Sequence, residues 1–447
     1  MGTAMITFDG SLPELVKTLT SQGIDISEAG GTFVRDMRGR LVFVARHELG
    51  SDLIQKVEAT ISPELKPYIS PIGALADHTT PGASRALKSS EGLAIQVHPR
   101  GHDVPITVML LDRRATGADW IHVPEDLAVA TPRLVFSSLK GGVGRSTALS
   151  VLAAELADRG RSVLVLDLDL EAPGLGSMLI EESATPKFGS IDFYVEDGVQ
   201  ELDDAFFHDS IGSSWLGAGR GRIDVVPSFG AMSLTNAREV LAKLARAYLE
   251  NEDKEGEPRS FLKRTQSLVA KLASLRRYDA ILVDARSGLH ETTAASILGL
   301  GADVLLFGVH QPQTFLGYRI LLSNLAQLPV HNPEHDWRYR LRMVHAKAES
   351  SEMMASYQSQ MFDLFDSVFY SKTTDPQPDI LEQGFRFSVD DKDAPHCSIP
   401  ILEDERYRLF DPVQNRNQLA RELYDASFAP FVQFCIERLQ LDEDATP

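Results

Sequence analysis

The run Leu134–Thr147, LVFSSLKGGVGRST, limits the possible folds of this chain more than any other feature. An apolar strand pattern meets three glycines, Gly141, Gly142 and Gly144, and passes at once into a helical pattern, Ser146–Arg159, closed by Gly160. Leu149, Leu152, Ala153 and Leu156 fall at i, i+3, i+4 and i+7, so one helix face packs on a sheet while the N-terminus stays open. Glycines let backbone N–H groups converge on phosphate oxygens, and the helix N-terminus adds partial positive charge. Strand, loop and helix in this order are expected to bind phosphate. A glycine-rich turn without a ligand is the plain alternative, and the companion strands downstream weigh against it.

Those strands are apolar runs alternating with helical segments: Leu134–Phe136, Val163–Leu166, Ile223–Val226, Ala280–Val283, Val304–Phe307 and Leu341–Val344. The alternation predicts an α/β fold with a doubly wound, mostly parallel sheet buried on both faces. Glu250–Arg259 reads as a solvated insertion, and Leu419–Leu441 as a helix with an acidic end. Residues 1–130 read as a smaller N-terminal α/β module. It has a helix around Leu12–Leu19, a strand at Leu41–Ala45, an amphipathic segment Leu53–Leu65, a long loop Pro71–Ser90 and a strand Ile106–Leu111. A linker, Pro124–Pro132, then sets the expected domains at 1–130 and 131–447. Leu12–Met37 imitates a helix-turn-helix, but Gly30 and Gly31 interrupt its second helix. The cluster LLDRRATGADW, Leu110–Trp120, reads as a contact between domains.

The charge narrows the partners. Over 447 residues the net charge is −19, which repels phosphate backbones and anionic lipid on average. Residues 1–130 hold 12 basic and 16 acidic side chains, a balance of −4, which leaves −15 for the remainder. Arg338, Arg340 and Arg342 alternate through WRYRLR, as one face of a strand would; a solvated edge is the blander reading and a grip on nucleic acid or an acidic partner the sharper one. Cys397 and Cys435 are too few for a disulfide framework or a zinc site, and the histidines form no H-E-x-x-H pattern. With no signal-like opening and no apolar run near about 18 residues, a cytoplasmic protein is expected.

The generic phosphate-loop pattern G-x-x-x-x-G-K-[ST] fails at Leu139 and at Arg145. The run KGGVGRST instead resembles the deviant Walker A motif, K-G-G-x-G-K-[ST], of the ParA/MinD family of P-loop ATPases, and the likeness extends over about 133–430. It implies a P-loop NTPase domain that binds ATP and Mg2+ through Lys140, Gly141, Gly142, Val143, Gly144, Arg145, Ser146 and Thr147. Lys140 would cross a dimer interface to the partner's phosphates, an exposed loop lysine being the alternative. In VLVLDLDLEAPGL, Asp169 would orient the attacking water and Asp167 would support the magnesium shell, unless both merely cap the strand. IDVVPSFG resembles the family's strand ending in Pro-Ala-Gly. YDAILVDARSG resembles its Walker B strand, which would put Asp284 on a magnesium-bound water beside Ser146. In SIPILEDERYRLF, Pro400 would line the adenine.

Three departures bear on this resemblance. Arg145 stands where the family has Lys, and a guanidinium is larger than an ammonium and not interchangeable with it. Arg286 follows the Walker B strand where relatives carry prolines, as a charge stabiliser or as a structural ion-pair partner. The strand Leu341–Ala346 lacks the Asn that relatives use on the base. The resemblance implies a slowly hydrolysing, dimerising switch, with catalysis by Lys140, Asp169 and Arg145; residues 1–130, a module with a mixed surface that minimal family members lack, are the expected place for a protein partner. DNA binding is expected to be weak or absent, and membrane binding absent. A nucleotide-gated scaffold with little hydrolysis is the alternative. A bacterial tyrosine kinase is less favoured, because Tyr407 and Tyr424 are isolated.

Overall fold

The computed structural model describes residues 5–89, 92–102, 104–124, 129–217, 219–252, 258–371 and 384–441. It forms two compact units, Met1–His122 and Val123–Pro447. The acidic end Asp442–Pro447, Ser90, residues 125–128 of the expected linker and residues 253–257 of the charged insertion lie outside the described residues.

In the larger unit the apolar runs become β1 (Arg133–Ser138), β2 (Ser162–Asp167), β3 (Gly212–Ser214), β4 (Arg222–Val226), β5 (Ala280–Ser287), β6 (Asp303–Gly308), β7 (Leu341–Ala348) and β8 (Ile399–Leu402). They form one sheet in the order β8-β7-β6-β1-β5-β2-β4-β3. Every neighbouring pair is parallel except β3 against β4. Six helices matter for the site and its support: α1 (Arg145–Asp158), α2 (Phe261–Leu275), α3 (Glu291–Gly299), α4 (Pro312–Leu325), α5 (Ser351–Val368) and α6 (Arg421–Arg438).

The pleat explains why these strands are apolar throughout. Leu134, Phe136, Val163, Val165, Leu282 and Phe307 face one side, packed with Leu149, Leu152 and Leu156 of α1 and Phe428, Phe431 and Cys435 of α6. The intervening Val135, Leu164, Ile281 and Val283 are equally buried, and α3 lies against β1 and β5. Helices on both faces make this a doubly wound sheet. Phe431 is fully buried, its ring 6.1 Å from Phe136 and 5.9 Å from Phe307. Phe431→Ala is expected to lower unfolding free energy by about 3–5 kcal/mol, read as a shift in the urea midpoint.

In the smaller unit five strands run in the order Leu75–Asp77, Leu41–Ala45, Gly31–Arg35, Ile106–Asp112 and Leu93–Val97. Helices Phe8–Ser21 and Ser51–Thr60 supply Leu15, Leu19 and Val57 to a core with Phe33 and Phe43, while Val34, Val42 and Val44 pack against Ala83 and Ala86. One expectation is corrected. Pro71–Ser90 is not one long loop: it holds the strand Leu75–Asp77, paired with Leu41–Ala45, and the helix Ala83–Lys88. The imitation helix-turn-helix has a strand, Gly31–Arg35, where its second helix would be. In the Leu110–Trp120 cluster Arg114 pairs with Asp112 at 2.9 Å and donates to the Gly117 carbonyl, closing its own turn.

The arginine stripe is also corrected. Trp337–Arg340 is a 3-10 turn, started by Asp336, whose carboxylate accepts from the Arg338 backbone N–H and pairs with the Arg338 guanidinium at 2.6 Å. The strand begins only at Leu341, and β7 is flanked by β6 and β8, so it is not an edge. Arg342 is buried, with its guanidinium donating to the carbonyls of Lys392, Asp393 and Cys397.

Candidate nucleotide-binding site

Strand β1 delivers the chain to a loop whose conformation needs its glycines. Gly142 and Gly144 have φ of +75° and +90°, in the left-handed region that side chains other than glycine rarely adopt. A Cβ at either would meet no protein atom within 4 Å, so both face an open cradle. Gly144 is the N-cap of α1, and no side chain caps that end. The first amides of the helix are left to a ligand, as anion binding at a helix N-terminus requires. Val143 turns its side chain into the core and can offer only its backbone. Ser146 and Thr147 occupy the first turn of α1.

Below the loop, strand register gathers the acids. In the parallel ladder Asp284 of β5 pairs with Asp167 of β2 on one side and Phe136 of β1 on the other. Register partners share a face, so both carboxylates stand on the α1 side, beneath Arg145 and Ser146. Ser146 Oγ donates to Asp284 Oδ2 at 2.5 Å. Arg145 is 8% exposed, and its guanidinium turns back from the loop. Its Nε donates to Asp284 at 2.5 Å, one terminal nitrogen to Ser138 Oγ at 3.0 Å and the other to Asp169 at 3.3 Å.

The electrostatics follow. Burial pushes the Asp167 carboxyl up to about 8, helped by the adjacent Asp284. Its Oδ1 accepts from the Asp169 N–H, while Oδ2 is buried without a partner. Burial also raises Asp169, against the pull of Arg145. For Arg145 burial works against the charge, but Asp284 and Asp169 more than offset it and hold the guanidinium protonated.

Serine hydroxyls missed by sequence reasoning fix this corner. Ser190 donates to the Asp167 carbonyl at 2.7 Å, and Ser228, inside IDVVPSFG, reaches the carbonyls of Asp167 and Asp169. Glu171 was also missed. It takes both terminal nitrogens of Arg286 at 2.7 Å and accepts from Tyr248 Oη at 3.2 Å, so Arg286 is an ion-pair partner in this structure. An acid two residues beyond Asp169 and an arginine two beyond Asp284 were the available signal.

The structure thus brings Arg145, Ser146, Asp169 and Asp284 into contact, with Asp167 alongside. Lys140 lies apart on the exposed rim, where its Nζ donates to Gln311 at 3.0 Å and Gln313 at 3.4 Å, at the start of α4. Pro400 sits in β8, paired with His345 of β7 and three strands from β1. In place of an asparagine, β7 presents buried His345, stacked on Tyr357 of α5 with ring centroids 4.0 Å apart.

Among the described residues no three His, Cys, Asp or Glu side chains form a metal cage. Ser146 Oγ, Asp284 and the unpartnered oxygen of Asp167 are nevertheless hard donors of the kind magnesium takes when water and phosphate complete its shell. The residues fit that ion on those terms.

A glycine loop between a central parallel strand and an uncapped helix, with an aspartate of the adjacent strand at its foot, defines a P-loop NTPase. The larger unit is similar to the ParA/MinD type: residues 130–196 match the ParA family model, described as NUBPL iron-transfer P-loop NTPase. An iron-sulfur cluster carrier protein of Methanocaldococcus jannaschii is 34% identical over 83 residues, which are 18% of this chain and 29% of that protein. The match therefore spans less than a third of the relative's length. A ParA family ATPase from Chlorobium tepidum aligns with 68% of this chain and 99% of its own, at 16% identity and a TM-score of 0.43. The cell division ATPase MinD of Pyrococcus furiosus aligns with 68% and 98%, at 17% identity and a TM-score of 0.40.

Proposed function

We propose that this chain is an ATP-binding, slowly hydrolysing switch that dimerises when loaded and recruits a protein partner. The observation that carries the reading is the uncapped first turn of α1 beneath the open cradle of Gly142 and Gly144, with Ser146 on Asp284 at its foot. Backbone amides of the loop would hold the β-phosphate, and Ser146 and Asp284 would hold magnesium, with Asp167 behind them. Magnesium bound with the nucleotide offsets charge on the phosphate oxygens. Asp169 would orient the attacking water, and Arg145 would move to the phosphates. Pro400 remains a proposed neighbour of the base.

Exposed Lys140 supports the dimer, since a rim lysine is placed to reach a second copy's phosphates. The burial of Arg342 and the pairing of Arg338 with Asp336 support weak DNA binding and leave residues 1–130 as the proposed partner-binding module. Phe431, Val432, Cys435 and Ile436 of α6 are spent on the core rather than on lipid, and no helix among the described residues is long and apolar enough to cross a membrane. The cysteines do not suit an iron-sulfur cargo: Cys435 is fully buried in the core cluster, and burial raises the thiols of both Cys435 and Cys397 away from the thiolate form a cluster needs.

One observation favours a second reading, a nucleotide-gated scaffold with little turnover: Arg145 is paired with Asp169, the carboxylate needed for water. Light scattering with ATP and magnesium tests the switch. The wild type should dimerise, and Lys140→Ala should bind ATP yet stay monomeric. A wild type that remains monomeric when saturated with ATP would defeat the switch reading.

A further inference from the structure

The ladder sets Asp284 and Asp167 side by side, and a third buried carboxylate, Asp169, is joined to Asp284 through Arg145. Carboxylates so placed require a cation within reach. Among the described residues the cation in contact is Arg145, and its attachment is complete: Nε on Asp284, one terminal nitrogen on Ser138 and the other on Asp169. An ammonium could not span these three partners, because it lacks the planar fork. The oxygens of Asp284 that would serve a hard divalent ion are divided between Arg145 and Ser146.

We propose that Arg145 is the resident cation of this pocket: in the nucleotide-free chain its guanidinium keeps free divalent metal out, and metal is admitted only with a nucleotide whose phosphates draw the guanidinium away. The admission step rests on the nucleotide-binding reading; the exclusion of free metal does not. The replacement of the family lysine thereby acquires a role of its own. It makes metal and nucleotide enter together.

Manganese is the probe, followed by its paramagnetic resonance signal with no nucleotide present. The wild type should leave Mn2+ free at millimolar concentrations. Arg145→Gln should bind one Mn2+ more than about tenfold more tightly than the wild type, because a unit charge within hydrogen-bond distance has been removed. Arg145→Lys, which keeps a cation and protects the measurement should the glutamine variant not fold, should fall between the two. Arg145→Gln combined with Asp284→Asn should lose the site. Equal Mn2+ binding by the wild type and the single variants would overturn the proposal, and so would no binding by any of them. Binding of a fluorescent ATP analogue to the wild type is measured in parallel. Its failure would remove the nucleotide reading while the manganese series still decides whether Arg145 excludes metal.

Discussion

Gly144→Val is expected to abolish ATP binding while the larger unit stays folded. At φ +90° a β-branched residue is strained, at a cost of roughly 1–3 kcal/mol, which a core of this size tolerates. The protein itself would barely notice the added bulk, since a Cβ there meets no protein atom within 4 Å. The obstruction falls on the ligand, because the methyl groups would occupy the cradle where loop amides approach phosphate. Calorimetry should show affinity reduced by on the order of 10²-fold or more, with the circular dichroism spectrum retained. Unchanged affinity would remove the loop from the binding site.

Asp169→Ala should act on turnover instead. Its carboxylate accepts from the Ala172 N–H and pairs with Arg145, but Arg145 keeps Asp284 and Ser138 when it is removed. The cradle and the Ser146–Asp284 contact stay in place, so ATP affinity should change by no more than a few fold. Phosphate release should fall by about 10²-fold or more, as for loss of a group that acts on the water in the transition state. The ATP-bound dimer should then persist. Turnover equal to the wild type would place the water on another residue.

Much of the larger unit was legible because buried parallel strands announce themselves. Val163–Leu166 and Ala280–Val283 are apolar on both faces, and their ends stood within a residue or so of β2 and the start of β5. Asp167, Asp169 and Asp284 were visible as acids ending such runs. What they touch was not visible. Arg145 meets Asp284 across 139 residues, a pairing decided by sheet order and register, neither of which has a local signature. Glu171 and Arg286 met for the same reason, 115 residues apart. Leu75–Asp77 was missed because three residues are too few to show a period of two, and it exists by pairing with a formed strand. At Arg338–Arg342 an alternating charge pattern imitated a strand, while the Asp336 carboxylate held the first residues in a turn.

The place of α6 has a consequence for how the protein is made. Phe431 completes the cluster with Phe136 of β1, and the Tyr424 hydroxyl donates to Glu155 of α1, so the phosphate-loop strand and helix are roofed by a segment nearly 300 residues further along. At about 5–20 residues per second a ribosome needs tens of seconds to travel from one to the other. During that interval one face of the central sheet lacks its cover, and its exposed leucines and phenylalanines are open to chaperones and to aggregation. That face of the sheet is closed only when residues 421–438 have left the ribosome, which ties completion of the core around β1 and α1 to the last helix made.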